Sequence, residues 1–141
     1  MNDRGIVLRE TMVSIVVNVA ITIAFFFLFF GLGAPIAAVA FGRDFLPQAF
    51  MVALMGTLIP GLLVRRGRDT AIATVVMRSV VLAVTALIVA GGGALLFFSR
   101  GGVVDPYAGL VIKIVFAAAL SAVVTPIAVH RALVAPIWRP S

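Results

Sequence analysis

Thr11, Ser14, Asn18 and Thr22 recur at spacings of three and four, which places them along one ridge of an α-helix. Hydroxyls and an amide offer hydrogen bonding, either to a neighbouring helix or to a small polar solute passing along the ridge. Asn18 weighs most, because its flanks are apolar and an amide in such surroundings needs partners that lipid does not supply. Ser14, Asn18 and Thr22 are therefore the candidate polar ridge or helix contact.

The remaining chemistry-bearing residues are few. Lys113 interrupts an otherwise apolar stretch; its long stem predicts an ammonium that snorkels to the membrane surface as an anchor. His130 is the single histidine and stands beside Arg131, a pairing that suits a helix C-terminus. Followed by Trp138-Arg139-Pro140, His130 resembles the pigment-binding end of bacterial light-harvesting β polypeptides. It departs from them in spacing, in span number and in the side its C-terminus faces, so the helix-end reading is preferred. Asp44, just before Pro47, and Asp105, just before Pro106, read as N-caps of the helices that come after them; an outward-facing carboxylate pair is the functional alternative. Cysteine is absent, which removes disulfides, thiolate catalysis and cysteine metal sites. No serine–histidine–acid set, H-E-x-x-H motif or paired carboxylates on one helix occur. The expectation is no enzyme, no catalytic or metal-ligating residues and no cofactor.

Glycine and proline mark a second group. Gly91-Gly92-Gly93 lies mid-run, and no Lys-Ser/Thr comes after it to make a phosphate loop of it. Pro60 and Pro126 each sit in an apolar run, where proline frees a carbonyl and can bend a helix. These five residues are candidates for close packing or for a hinge, with packing preferred: no Asp or Glu falls inside an apolar run to supply a coupling site. Gly92 is the position at which a bulky side chain is expected to overpack.

Four apolar runs must position all of these residues: 12–32, 45–64, 79–99 and 109–129. Each is about 20 residues, or about 30 Å as a helix, the thickness of a bilayer's hydrocarbon core. Backbone groups in lipid have to be satisfied internally, so the runs are expected to be spanning α-helices. The 141 residues then form one all-α domain, an integral membrane bundle of four transmembrane helices. At 63% hydrophobic and 11% charged the chain is incompatible with a soluble globular monomer. The first run is longer than a signal-peptide core and reads as a retained span, although Ala38-Val39-Ala40 provides a cleavage-like sequence.

The net charge of +6 reports topology rather than nucleic-acid binding. Arg4, Arg9, Arg65, Arg66, Arg68, Arg78, Arg131 and Arg139 fall in segments on one side of a four-span chain; Arg43, Arg100 and Lys113 belong to the other. That bias is the positive-inside pattern and puts both termini in the cytoplasm.

Small residues recur at four-residue intervals: Ala49, Ala53, Thr57 and Gly61; Ala86, Ala90 and Ala94; Ala117, Ser121 and Thr125. Such ladders let helices approach closely. A shift of 66 positions superposes Ala53, Leu54, Pro60 and Arg65 on Ala119, Leu120, Pro126 and Arg131, suggesting a duplicated helical hairpin in parallel orientation. A hairpin unit closing on a proline and a basic residue resembles small bacterial inner-membrane proteins of uncharacterised function built from a two-helix unit. The resemblance implies four-span or doubled two-span architecture in a bacterial inner membrane and carries no activity. The expected function is a structural or accessory small subunit that packs, through small-residue faces, against itself or a larger membrane complex. The alternative is a channel or transporter for a small neutral or weakly polar solute along the Asn18 ridge.

Overall fold

A computed structural model describes residues 2–64 and 71–134. Arg65, Arg66, Arg68 and the Trp138-Arg139-Pro140 sequence lie outside the described residues. Four helical rods, each long and apolar enough to cross a membrane, make up the bundle. The chain is an all-α, multi-pass membrane protein. The first rod is α1 (Asp3–Phe29). The second joins the short α2 (Ala38–Arg43) to α3 (Phe45–Val64). The third runs from α4 (Ile72–Ala86) through a π-helical turn (Leu87–Gly91) into α5 (Gly92–Phe98). The fourth is α6 (Pro106–Leu133).

The rods stand in a row in which α1 packs on α6, α6 on α3, and α3 on α4 with its π turn. Exchanging the first hairpin with the second leaves that order unchanged, as a duplicated hairpin requires. At the end of the bundle remote from the N-terminus (the far end), two short strands pair antiparallel: β1 (Ile36–Ala37) with β2 (Val103–Val104). Ala37 pairs with Val103, a residue 66 positions later. Ala38 N–H extends the ladder to Gly102 O at 3.0 Å. Gly101 and Gly102 adopt positive φ there, which glycine reaches without a Cβ clash. The buried faces of the inner rods repeat at a different displacement. Phe45, Ala49, Ala53 and Thr57 on α3 correspond to Lys113, Ala117, Ser121 and Thr125 on α6, 68 positions on. The 66-residue match of Pro60 with Pro126 is accordingly not one of burial: Pro60 is buried and Pro126 only half-buried.

Three sequence expectations about helix starts are corrected. Helical structure on the second rod begins at Ala38, so the Asp44 carboxylate does not open that rod as an N-cap; Asp44 is the C-terminal cap residue of α2, at the joint between α2 and α3. Asp105 does cap α6, its carboxylate accepting from Ala108 N–H at 3.0 Å, with Pro106 in the first turn. Helix α4 begins at Ile72, which puts Arg78 almost two turns inside it rather than in the connection. An arginine stem can lie along an apolar helix while its head seeks water, so the apolar run starts later than the helix. Helix α1 begins at Asp3 for the same reason, and Glu10, before the apolar run, is a buried helical residue. Its carboxylate accepts from Arg9 Nη2 at 2.7 Å.

Candidate functional site: a polar seam along the bundle

Polar side chains gather where α1, α3 and α6 meet. The i, i+4 spacing of Ser14, Asn18 and Thr22 turns all three inward, and all are buried. Asn18 Nδ2 donates to Ser14 Oγ at 3.2 Å and across the interface to Ser121 Oγ at 3.0 Å. Thr125 Oγ1 donates to Ser14 Oγ at 2.9 Å. Gly56 of α3 completes this node: a Cβ there would stand 3.1 Å from Ser14 Oγ and 3.2 Å from Thr125 Oγ1. Thr57, one residue on, returns its hydroxyl to Ala53 O at 2.7 Å.

Towards the far end, Thr22 Oγ1 accepts from Gln48 Nε2 at 3.3 Å, and the same amide nitrogen donates to Lys113 O at 3.3 Å. Gln48 Oε1 is buried and makes no hydrogen bond. One turn before Gln48, the Asp44 carboxylate accepts from Lys113 Nζ at 2.6 Å. Lys113 is 1% exposed, so the sequence expectation of a snorkelling surface anchor is overturned. The physical reason lies in the aromatic surroundings. The ammonium stands 3.9 Å from the Phe45 ring centroid and 5.0 Å from that of Phe41, within reach of cation–π attraction. Phe98 stacks on Phe45 at 5.8 Å and Phe116 meets it edge-on at 4.8 Å. The aromatic rings exclude lipid and water, and Asp44 supplies the counter-charge that burial of an ammonium demands.

The glycine triplet separates into different roles. A Cβ at Gly91 would lie 3.1 Å from both Leu46 Cα and Phe45 O, so here the third rod touches the backbone of α3. Gly92 would meet only Leu87 O at 3.9 Å, and Gly93 nothing within 4 Å. The expected overpacking position is therefore Gly91, not Gly92. The π turn ends on Gly91; a π turn adds a residue to the helix and re-aims the turns beyond it. Pro60 and Pro126 both lie within continuous helix. His130 is exposed in the last turn of α6.

Ser14, Asn18 and Thr22 thus come together with Ser121, Thr125, Gln48 and the Asp44–Lys113 pair, whereas Gly92, Gly93 and Pro126 stand apart. Sequence reasoning missed Asp44 and Gln48 as seam residues. Their mutual spacing of four, in phase with Phe41 and Phe45, was a usable signal. Searches among protein-family models, curated proteins and solved structures returned no match to this chain.

Proposed function

We propose that the protein is a structural or accessory small subunit of a membrane complex, set in a bacterial inner membrane with both termini in the cytoplasm. One observation carries this reading: the α1 ridge spends its polar groups on the bundle itself. Asn18 donates to Ser14 and Ser121, and Gly56 closes the third side of the node. A solute pathway needs polar groups facing an opening; here they face one another, and interhelical bonds of this kind hold helices in register. Outward, the rods present long apolar faces, including Leu28, Phe29, Ile88, Val89, Leu96 and Phe97, suited to lipid or to other apolar helices. The experiment is purification from native membranes in mild detergent, with the chain deleted in parallel. A stoichiometric partner whose abundance falls on deletion is expected. A lone oligomer that conducts solute after reconstitution overturns the reading.

A second reading, a transporter for a small neutral or weakly polar solute, draws support from the buried, unbonded Gln48 Oε1 beside the Asp44–Lys113 pair. Among the described residues, that acceptor is the one buried side-chain polar atom with no hydrogen-bond partner, open to a solute's donor. Solute flux lost in Gln48→Leu while the bundle stays folded would favour it.

A further inference from the structure

Helices α4 and α6 flank α3 and barely touch each other, which leaves a groove at the near end of the bundle, where α1 begins. Gly61 of α3 forms its floor, Val75, Arg78, Ser79 and Leu82 of α4 one wall, and Arg131 of α6 the other. The near end of Gly61 is tight: a Cβ there would lie 2.9 Å from Val75 Cγ1. Small residues on α6, Ala128 and Ala132, keep the opposite wall low.

We infer that this groove holds an anionic phospholipid, its phosphate bound by Arg78 and Arg131 and accepting a hydrogen bond from Ser79, its acyl chain lying against Val75 and Leu82.

Two independent observations point to a ligand. First, the groove collects cations without counter-charges. Arg9 is paired with Glu10 and Lys113 with Asp44, but among the described residues neither Arg78 nor Arg131 forms an ion pair. Arg78 emerges from an apolar flank in which Ile72, Val76 and Met77 are exposed. A guanidinium so placed sits at the border of hydrocarbon and water, where lipid phosphates lie. Arginines on two helices converging on one groove suit a phosphate's several oxygens, and basic pockets between spanning helices on the cytoplasmic side select acidic headgroups.

Second, Ser79 has a hydroxyl to offer. Thr11, Thr57, Thr85 and Ser99 each return theirs to a carbonyl of the preceding turn, the usual resolution for a hydroxyl on a helix. Ser79 does not: it is 2% exposed, lines the groove, and has no hydrogen-bond partner among the described residues. Its hydroxyl, open to the groove rather than enclosed, is a free donor for an acceptor seated there. The apolar continuation of the wall through Val75 and Leu82 favours a phosphate carrying a hydrocarbon chain over a free one.

The test reconstitutes the full chain in phosphatidylcholine vesicles containing a small fraction of spin-labelled phosphatidylglycerol or spin-labelled phosphatidylcholine. Electron paramagnetic resonance then reads the lipid held at the protein surface. Wild type should favour the anionic label at least about fivefold, the worth of a single arginine near an anionic membrane surface. R78Q/R131Q should bring the preference close to parity, and S79A should lower it about twofold with no change of charge. R4Q/R9Q, remote from the groove, should leave it intact. Equal association of both labels with wild type overturns the inference. So does a preference that survives R78Q/R131Q but falls in R4Q/R9Q, which would mean general surface attraction. Displacement of the label by inorganic phosphate at constant ionic strength overturns the lipid assignment. All the substituted arginines are exposed, so near-wild-type helical circular dichroism is expected for both double variants.

Discussion

Lys113 on α6 and Asp44 at the joint of α2 and α3 meet at 2.6 Å, although 69 positions separate them and only the packing of α3 on α6 brings them together. The two are unequally buried, the lysine side chain 2% exposed and the aspartate 33%. That inequality sets the first prediction. Asp44→Asn leaves an ammonium enclosed without a counter-charge and should cost about 3 kcal/mol. Lys113→Met leaves a carboxylate that solvent still reaches and puts an apolar chain among aromatic rings, so its loss should be about 1 kcal/mol. Reversible unfolding in mixed micelles, run as a double-mutant cycle, checks both numbers. Equal losses would mean that the pair is solvated alike on both sides.

The node around Asn18 gives the second prediction. Asn18→Leu removes the donor to Ser14 and Ser121 and should weaken the bundle by about 1 kcal/mol, the scale of measured interhelical hydrogen bonds. Gly56→Ala should cost a similar amount by pressing a methyl group against Ser14 and Thr125. Because they disturb one node, the two should be sub-additive in the same unfolding assay.

Third, the glycine triplet should respond position by position. Gly91→Leu drives a side chain into the backbone at Phe45 and Leu46 and should prevent assembly or cost more than about 2 kcal/mol. Gly92→Leu, with open space before it, should assemble as wild type does. Size-exclusion profiles in detergent separate these outcomes, and an intact Gly91→Leu bundle would deny the close contact.

Fourth, the distribution of arginines predicts orientation. Reporter fusions after Ser141 and near Arg68 should be active only in the cytoplasm, and fusions near Gly102 only outside. An externally active fusion after Ser141 would reverse the assignment.

The four rods were legible because about 20 uninterrupted apolar residues have one stable form in lipid. Ser14, Asn18 and Thr22 were legible as one ridge because their periodicity is local. The features that escaped were non-local or charge-masked. Arg78 sat inside α4 unseen, since a charge reads as the edge of an apolar run even where the helix continues past it. Lys113 read as an anchor because its partner is remote in sequence, and Asp44 resembled a helix N-cap because Pro47 comes three residues later. The π turn had no signature beyond the glycines that end it, and Ser79 was unremarkable until a groove opened beside it.

The short pairing of Ile36–Ala37 with Val103–Val104 has a consequence for biogenesis. Spans enter the membrane in sequence, so β1 emerges with the first hairpin, while its partner crosses only after the third rod has been threaded. Until then the backbone groups of Ile36 and Ala37 have no ladder to join. The pairing can therefore be fastened only once the third rod has brought Val103 and Val104 back to the far end of the bundle. A chain truncated after Phe98 would carry every residue of the first hairpin and still lack Val103 and Val104, the partners that close its loop.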